Sequence, residues 1–146
     1  MTVAYTDGGS RGNPGPAGWG VRIEDGNGNL VEEFCGSLGT ATNNVAEYTG
    51  LLAALHWALA HSVTTLRVRS DSELLVKQMK GVYRVKNPGL QPLYREAQQL
   101  AARIGRVTFE HVRREQNTDA DRLANKAMDD AAAAPPPRRG QAAFDW

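Results

Sequence analysis

"TLRVRSDSELLVKQMKG" (Thr65–Gly81) changes character halfway along. Its first part, "TLRVRSD", reads as a strand that ends on an acid, Asp71; its second, "SELLVKQMKG", reads as a short helix stopped by Gly81. A strand that runs straight into a helix makes this part of the chain α/β. Downstream, "NPGLQPLYREAQQLAARIG" reads as a loop and a helix ending at Gly105, and "RVTFEHV" as another strand. "NTDADRLANKAMDDAAAA" follows as a last helix, with Ala120, Leu123, Ala124, Ala127 and Met128 on one stripe. Upstream, the period is helical from Asn43 to His61, where Tyr48, Leu51, Leu52, Leu55 and Leu59 share a face. Before that helix, "TVAYTD" alternates, with Val3, Tyr5 and Asp7 on one side; "GWGVRIED", the turn "GNGN" and "LVEEFCG" form a hairpin. The order is β-β-β-α-β-α-α-β-α: three antiparallel strands, then strands alternating with helices and therefore parallel, in one mixed sheet covered by helices. In such sheets ligands sit at the carboxyl ends of strands, where Asp7 and Asp71 fall.

The totals narrow the function classes. At 146 residues the chain makes one domain with a real core, here taken as residues 1–130, followed by a proline-led tail, 131–146. A single cysteine, Cys35, excludes an internal disulfide framework and a multi-cysteine zinc site. No apolar run approaches the roughly 20 residues of a membrane helix, and no signal peptide precedes the first strand, so a soluble, cytoplasmic protein is expected. With 17 Lys+Arg against 16 Asp+Glu the net charge is +1, which excludes a bulk basic nucleic-acid binder. Nucleic-acid contact would need local clusters, for which "TTLRVRSD", "YRVKN" and "HVRREQN" are the candidates.

Four acids stand in awkward places. Asp7 closes the first strand, before a stretch rich in glycine, and reads alone as the start of a turn. Glu47 borders the apolar stripe of its helix; its ordinary reading is a capping box with Asn44. Asp71 precedes a helix and would serve as a cap or first-turn acid. Asp121 lies about 20° from Met128 on a helical wheel, so it too borders a buried face, unless it only complements the helix dipole after an Asn117 or Thr118 cap. Two acids ending neighbouring strands and two on flanking helices would converge. Four converging carboxylates repel unless a hard divalent cation neutralises them, and oxygen-only ligands suit Mg²⁺ or Mn²⁺.

The segments "YTDGGSRGNPGPAGWG", "TNNVAEYTGLLAAL", "VRSDSELLVKQMKG" and "EQNTDADRLANKA" resemble, in order and spacing, the motifs of type 1 ribonuclease H, over about Thr2 to Met128. The likeness is to compact archaeal and bacterial members. It implies the ribonuclease H-like fold and endonucleolytic hydrolysis of the RNA strand of RNA–DNA hybrids, giving 5′-phosphate and 3′-hydroxyl ends. Asp7, Glu47, Asp71 and Asp121 match the family's catalytic acids, which would hold two Mg²⁺ or Mn²⁺ ions. Gly8, Gly9, Ser10 and Asn13 would approach the RNA strand. Asn43 and Asn44 would reach across the minor groove, and Thr42 and Asn87 resemble a pocket for a DNA phosphate. The partner implied is an RNA–DNA hybrid, recognised by a chain acting as a monomer with no membrane.

Three departures from the family pattern matter. "GVYRVKNPGLQPLY" is too short for the basic handle of larger bacterial members, which leaves hybrid affinity to Arg84 and Lys86. "HVRREQNTDAD" lacks the family's mobile histidine, since His111 lies within a strand and is expected to face elsewhere; Arg114 or Glu115 is left to assist product release. Glu73 replaces a glutamine of some relatives and adds negative charge. In the tail, Phe144 and Trp146 either fold back on the domain, as an added edge strand, or belong to a disordered end. The alternatives in function are a non-catalytic hybrid-binding module, which gains nothing from a repulsive acid cluster, and another nuclease of the same fold.

Overall fold

The computed structural model describes residues 1–133, where the predicted elements follow one another in the predicted order. Strands β1 (Thr2–Ser10), β2 (Gly15–Glu24), β3 (Leu30–Ala41), β4 (Thr65–Ser70) and β5 (Arg106–His111) make one sheet ordered β3-β2-β1-β4-β5. β2 pairs antiparallel with β1 and β3, while β4 lies parallel to β1 and β5. The helices are α1 (Asn43–Ala60), α2 (Glu73–Met79), α3 (Gln91–Ile104) and α4 (Thr118–Ala133). Among the described residues no helix is long and apolar enough to cross a membrane.

The two faces of the sheet are covered differently. On one, Ala4, Val21, Ile23, Leu66 and Val68 join the α1 residues Tyr48, Leu51 and Leu55 and the α3 residues Leu100 and Ile104 in the main core. On the other, α4 lies across β2 so closely that a Cβ at Gly20 would come within 2.5 Å of the Leu123 Cβ and 2.6 Å of the Ala120 carbonyl oxygen. Gly20→Ala is therefore expected to cost about 1–3 kcal/mol by overpacking, read as a lower urea midpoint at unchanged slope. β4 alternates accordingly: Leu66, Val68 and Ser70 are buried against the helical layer. Arg67 and Arg69 project the opposite way. There Arg69 donates to the Tyr5 hydroxyl at 2.6 Å, and both guanidinium groups approach Glu110, at 3.8 and 3.5 Å.

Boundaries differ from the sequence expectation at two points. β1 does not close at Asp7 but runs on to Ser10, paired with β2 from Asp7↔Gly20 to Ser10↔Ala17. The glycines are strand first, and the turn is confined to the residues between Ser10 and Gly15. α1 is capped by Thr42, whose Oγ1 accepts the Val45 N–H at 3.2 Å, and not by Asn44. α4 runs to Ala133, within the helix expected over residues 117–134, and the tail residues Phe144 and Trp146 lie outside the described residues.

Candidate active site

The parallel ladder between β1 and β4 ends at Thr6↔Ser70, so Asp7 and Asp71 follow side by side just past its last rung. Glu47 arrives from the start of α1. Its approach depends on Gly8: a Cβ there would lie 2.3 Å from the carbonyl carbon and oxygen of Ala46 and 2.6 Å from the Glu47 nitrogen. The missing side chain lets α1 rest on β1 and brings Glu47 to Asp7. One carboxylate oxygen each from Asp7, Glu47 and Asp71 lie within 4.8 Å of one another. Asp121, in the first turn of α4, stands outside this trio but lines the same cavity of about 470 Å³. It also acts on Asp7 through hydrogen bonding and charge.

The ordinary roles open to these acids are taken by other residues. Because Thr42 caps α1, Glu47 does not reach back to a cap, and its Oε2 is buried with no hydrogen-bond partner. Ser72 caps α2 by accepting the Leu75 N–H at 3.2 Å, which frees Asp71 from that duty. Burial first, then the charge of Asp71 and the nearness of Asp121, push the Asp7 carboxyl from 3.8 up to about 7 against the Gly8 N–H. Glu47 is pushed well above the carboxylate range by burial and by the charges of Asp7 and Asp71. Burial also raises Asp71, opposed by Arg114, Asn117 and His111. Such a cluster is costly as bare anions. Oxygen-only donors, one of them buried and unpaired, fit a hard divalent cation.

The other expected site residues divide into two groups. Gly8, Gly9, Ser10, Asn43 and Arg114 line the cavity with the four acids. Asn43 Oδ1 accepts the Ser10 N–H at 2.8 Å, which ties the end of β1 to the start of α1. Asn13, Thr42, Asn44, Asn87 and Glu115 do not line it. Asn13 Oδ1 accepts the Asn43 N–H at 3.1 Å, so it supports the wall from behind. Asn87 Oδ1 accepts the Gly89 N–H at 2.8 Å in the exposed turn before α3, and Asn44 is exposed on α1. Glu73 is also away from the cavity and is paired with Lys77 at 2.6 Å. His111, paired with Ser70 across β4 and β5, does not line the cavity.

Sequence reasoning missed four residues of the site. Arg11, Asn125 and Met128 line the cavity. Arg11 is held there by Asp129 at 2.8 Å and by Asn125 Oδ1 at 3.2 Å. The fourth, Asn117, is 1% exposed and donates from Nδ2 to the Thr6 carbonyl at 3.0 Å. Asn125 and Met128 follow Asp121 at helical spacing, a signal that could have found them. Arg11 and Asn117 carry no such local mark.

Comparison with known proteins gives the same constellation a context. The family model described as reverse transcriptase-like matches residues 5–127. The bifunctional protein Rv2228c of Mycobacterium tuberculosis is 50% identical over 131 residues, which cover 89% of this chain and 36% of that protein. The ribonuclease HI of Halobacterium salinarum is 42% identical over 128 residues, covering 88% of this chain and 64% of its own length. The chain therefore spans between about a third and two thirds of these relatives. Among solved structures, LC11-RNase H1 in complex with an RNA/DNA hybrid superposes with a TM-score of 0.86 at 42% identity, covering 91% of this chain and 100% of that one.

Proposed function

We propose that this chain, which belongs to the type 1 ribonuclease H family, is an endonuclease that hydrolyses the RNA strand of RNA–DNA hybrids to 5′-phosphate and 3′-hydroxyl ends. One observation carries the reading: three carboxylates from β1, α1 and the end of β4 converge within 4.8 Å around a buried, unpaired Glu47 oxygen. All four acids belong to one chain, which supports action as a monomer. That the hybrid is the substrate is supported by the relative solved in complex with one.

Asp7, Glu47, Asp71 and Asp121 would hold two Mg²⁺ or Mn²⁺ ions. When bound, the ions supply an activated water and neutralise the charge that develops on the leaving 3′ oxygen. The protein's own groups do the rest. Asp7, fixed in mid-strand and 7% exposed, stays in place as substrate binds. Arg114 and Arg11 line the cavity with cationic heads that favour a phosphate beside the acids. Ser10 and Asn43, already joined to each other, present polar atoms to the RNA ribose, and selection of RNA rests on its 2′-hydroxyl. Gly8 and Gly9 keep that wall free of side chains.

The long polyanion needs more than the acid-lined cavity offers. Between Ser72 and Gln99 the chain carries Lys77, Lys80, Arg84, Lys86 and Arg95 against only Glu73 and Glu96. The excess of positive charge thus lies in the segment between α2 and α3, at Lys80, Arg84 and Lys86, in place of a handle. Arg84→Ala with Lys86→Ala is expected to raise KM for hybrid. It should also make the salt dependence of binding shallower by about 0.9 in log–log slope for each phosphate that is no longer neutralised. Titrations of hybrid binding between low and high salt check this.

The activity itself is tested by incubating the chain with a hybrid labelled on its RNA strand, in Mg²⁺ or Mn²⁺, and then adding chelator. Internal cuts that stop on chelation are expected. Cutting that continues in excess chelator would overturn the metal-dependent reading, and binding without cutting would make the chain a hybrid-binding module.

A further inference from the structure

Among the buried polar residues described, Asn117 is hydrogen-bonded to the backbone beside two of the four acids, Asp7 and Asp121. Asn117 sits between the short 3₁₀ turn Arg114–Gln116 and α4, at the place where a helix cap is usual. Its side chain is not spent on that helix. Nδ2 donates to the Thr6 carbonyl at 3.0 Å, the peptide unit that leads into Asp7. Asn117's backbone carbonyl accepts the Asp121 N–H at 3.0 Å, and its own N–H donates to the Arg114 carbonyl at 2.9 Å. Oδ1 is buried without a partner, a cost that a residue present only to fill space would not incur.

We propose that Asn117 is a positioning residue that sets the spacing of Asp7 and Asp121, and through that spacing the affinity of the acid cluster for divalent metal. Carboxylates that repel one another spread apart unless something holds their backbones together. β1 and β4 are held by their ladder only as far as Thr6↔Ser70, one residue short of the acids. At that rung, Asn117 links Thr6 of β1 to the start of α4 across 111 residues of sequence. An apolar residue of similar size could fill the space but could not satisfy the Thr6 carbonyl. A serine keeps a hydroxyl donor on a shorter arm. The role rests on the reading of the cluster as a metal site, and its test reads metal directly as well as cleavage.

The experiment compares the unaltered chain with Asn117→Ala and Asn117→Ser. Mn²⁺ affinity is measured from the free-ion EPR signal, kcat and KM on a hybrid, and folding by thermal melt. Asn117→Ala is expected to bind Mn²⁺ about 10- to 100-fold more weakly. Its kcat at fixed low Mn²⁺ falls in step, KM for hybrid changes less than about twofold, and added Mn²⁺ restores rate. Asn117→Ser falls between the two. If Asn117→Ala does not fold, Asn117→Ser is judged by the same criteria. A lower melting temperature with unchanged Mn²⁺ affinity and kcat would overturn the proposal, leaving Asn117 a packing residue. So would a raised KM at unchanged kcat and Mn²⁺ affinity. If the unaltered chain binds Mn²⁺ but cuts no hybrid, the proposed function fails while the affinity comparison still stands.

Discussion

Asp7→Asn is expected to lower hybrid cleavage at least about a thousandfold, the equivalent of about 4 kcal/mol of barrier, while making the metal-free protein more stable. Both effects have one cause. Asp7 is the acid that Glu47, Asp71 and Asp121 all act on or are acted on by, and it is the most buried of the charges that must come together. Replacing it with the isosteric amide removes the central anion, which relieves its neighbours and takes away one of the carboxylates that would hold metal. Loss of activity with a gain in stability separates a functional charge from a structural one, since a structural Asp would lose both. Glu47→Gln and Asp71→Asn should behave alike. Asp121→Asn should be the mildest, because Asp121 stands outside the tight trio and an amide oxygen can still ligate. Rates on labelled hybrid and melting curves in chelator decide the matter.

In the absence of divalent ions, stability should fall as pH rises from about 4 to 7 and recover when Mg²⁺ or Mn²⁺ is added. The Asp7 carboxyl rises from 3.8 when unfolded to about 7 in the fold. A raised carboxyl pKa means the folded state holds its proton longer, so the stability linked to it is fully present below about 4 and lost by about 7. That rise corresponds to about 4 kcal/mol for the cluster, treated as one titrating unit. Glu47 and Asp71 are raised too and add in the same direction. Bound divalent ions replace protons as the neutralising charge, so the slope should flatten with metal and in Asp7→Asn. Urea midpoints at several pH values, with chelator or with Mn²⁺, provide the measurement. A flat profile in chelator would show that the four acids are not crowded as anions.

Local patterns in the sequence were enough for the element order, and they marked the four acids that the structure brings to one cavity: Glu47 and Asp121 beside apolar stripes, Asp71 after a strand, and Asp7 at what looked like a strand end but lies within β1. What escaped was set by contacts distant in sequence. Gly8 looked like part of a turn, since glycine disfavours strands, and Gly20 like an ordinary strand residue, yet both are strand positions cleared for a helix. The preference for glycine there belongs to α1 and α4, which no local window includes. Thr42 and Asn44 are both good caps by type, and only the extended backbone of Thr42, φ −86° and ψ 162°, decides between them. Asn117 looked like a cap and instead bonds a carbonyl 111 residues away. Asn13, Asn44 and Asn87 were assigned by motif, and their nearness to substrate remains a proposal that depends on a hybrid reaching beyond the cavity.

The most direct test of the central claim is a single gel on which the chain, in Mg²⁺ or Mn²⁺, meets three duplexes of one sequence: RNA–DNA hybrid, duplex DNA and duplex RNA. Cleavage inside the RNA strand of the hybrid, leaving 5′-phosphate ends and an intact DNA strand, is the result predicted. A hybrid left whole, or DNA trimmed from its ends, would contradict it.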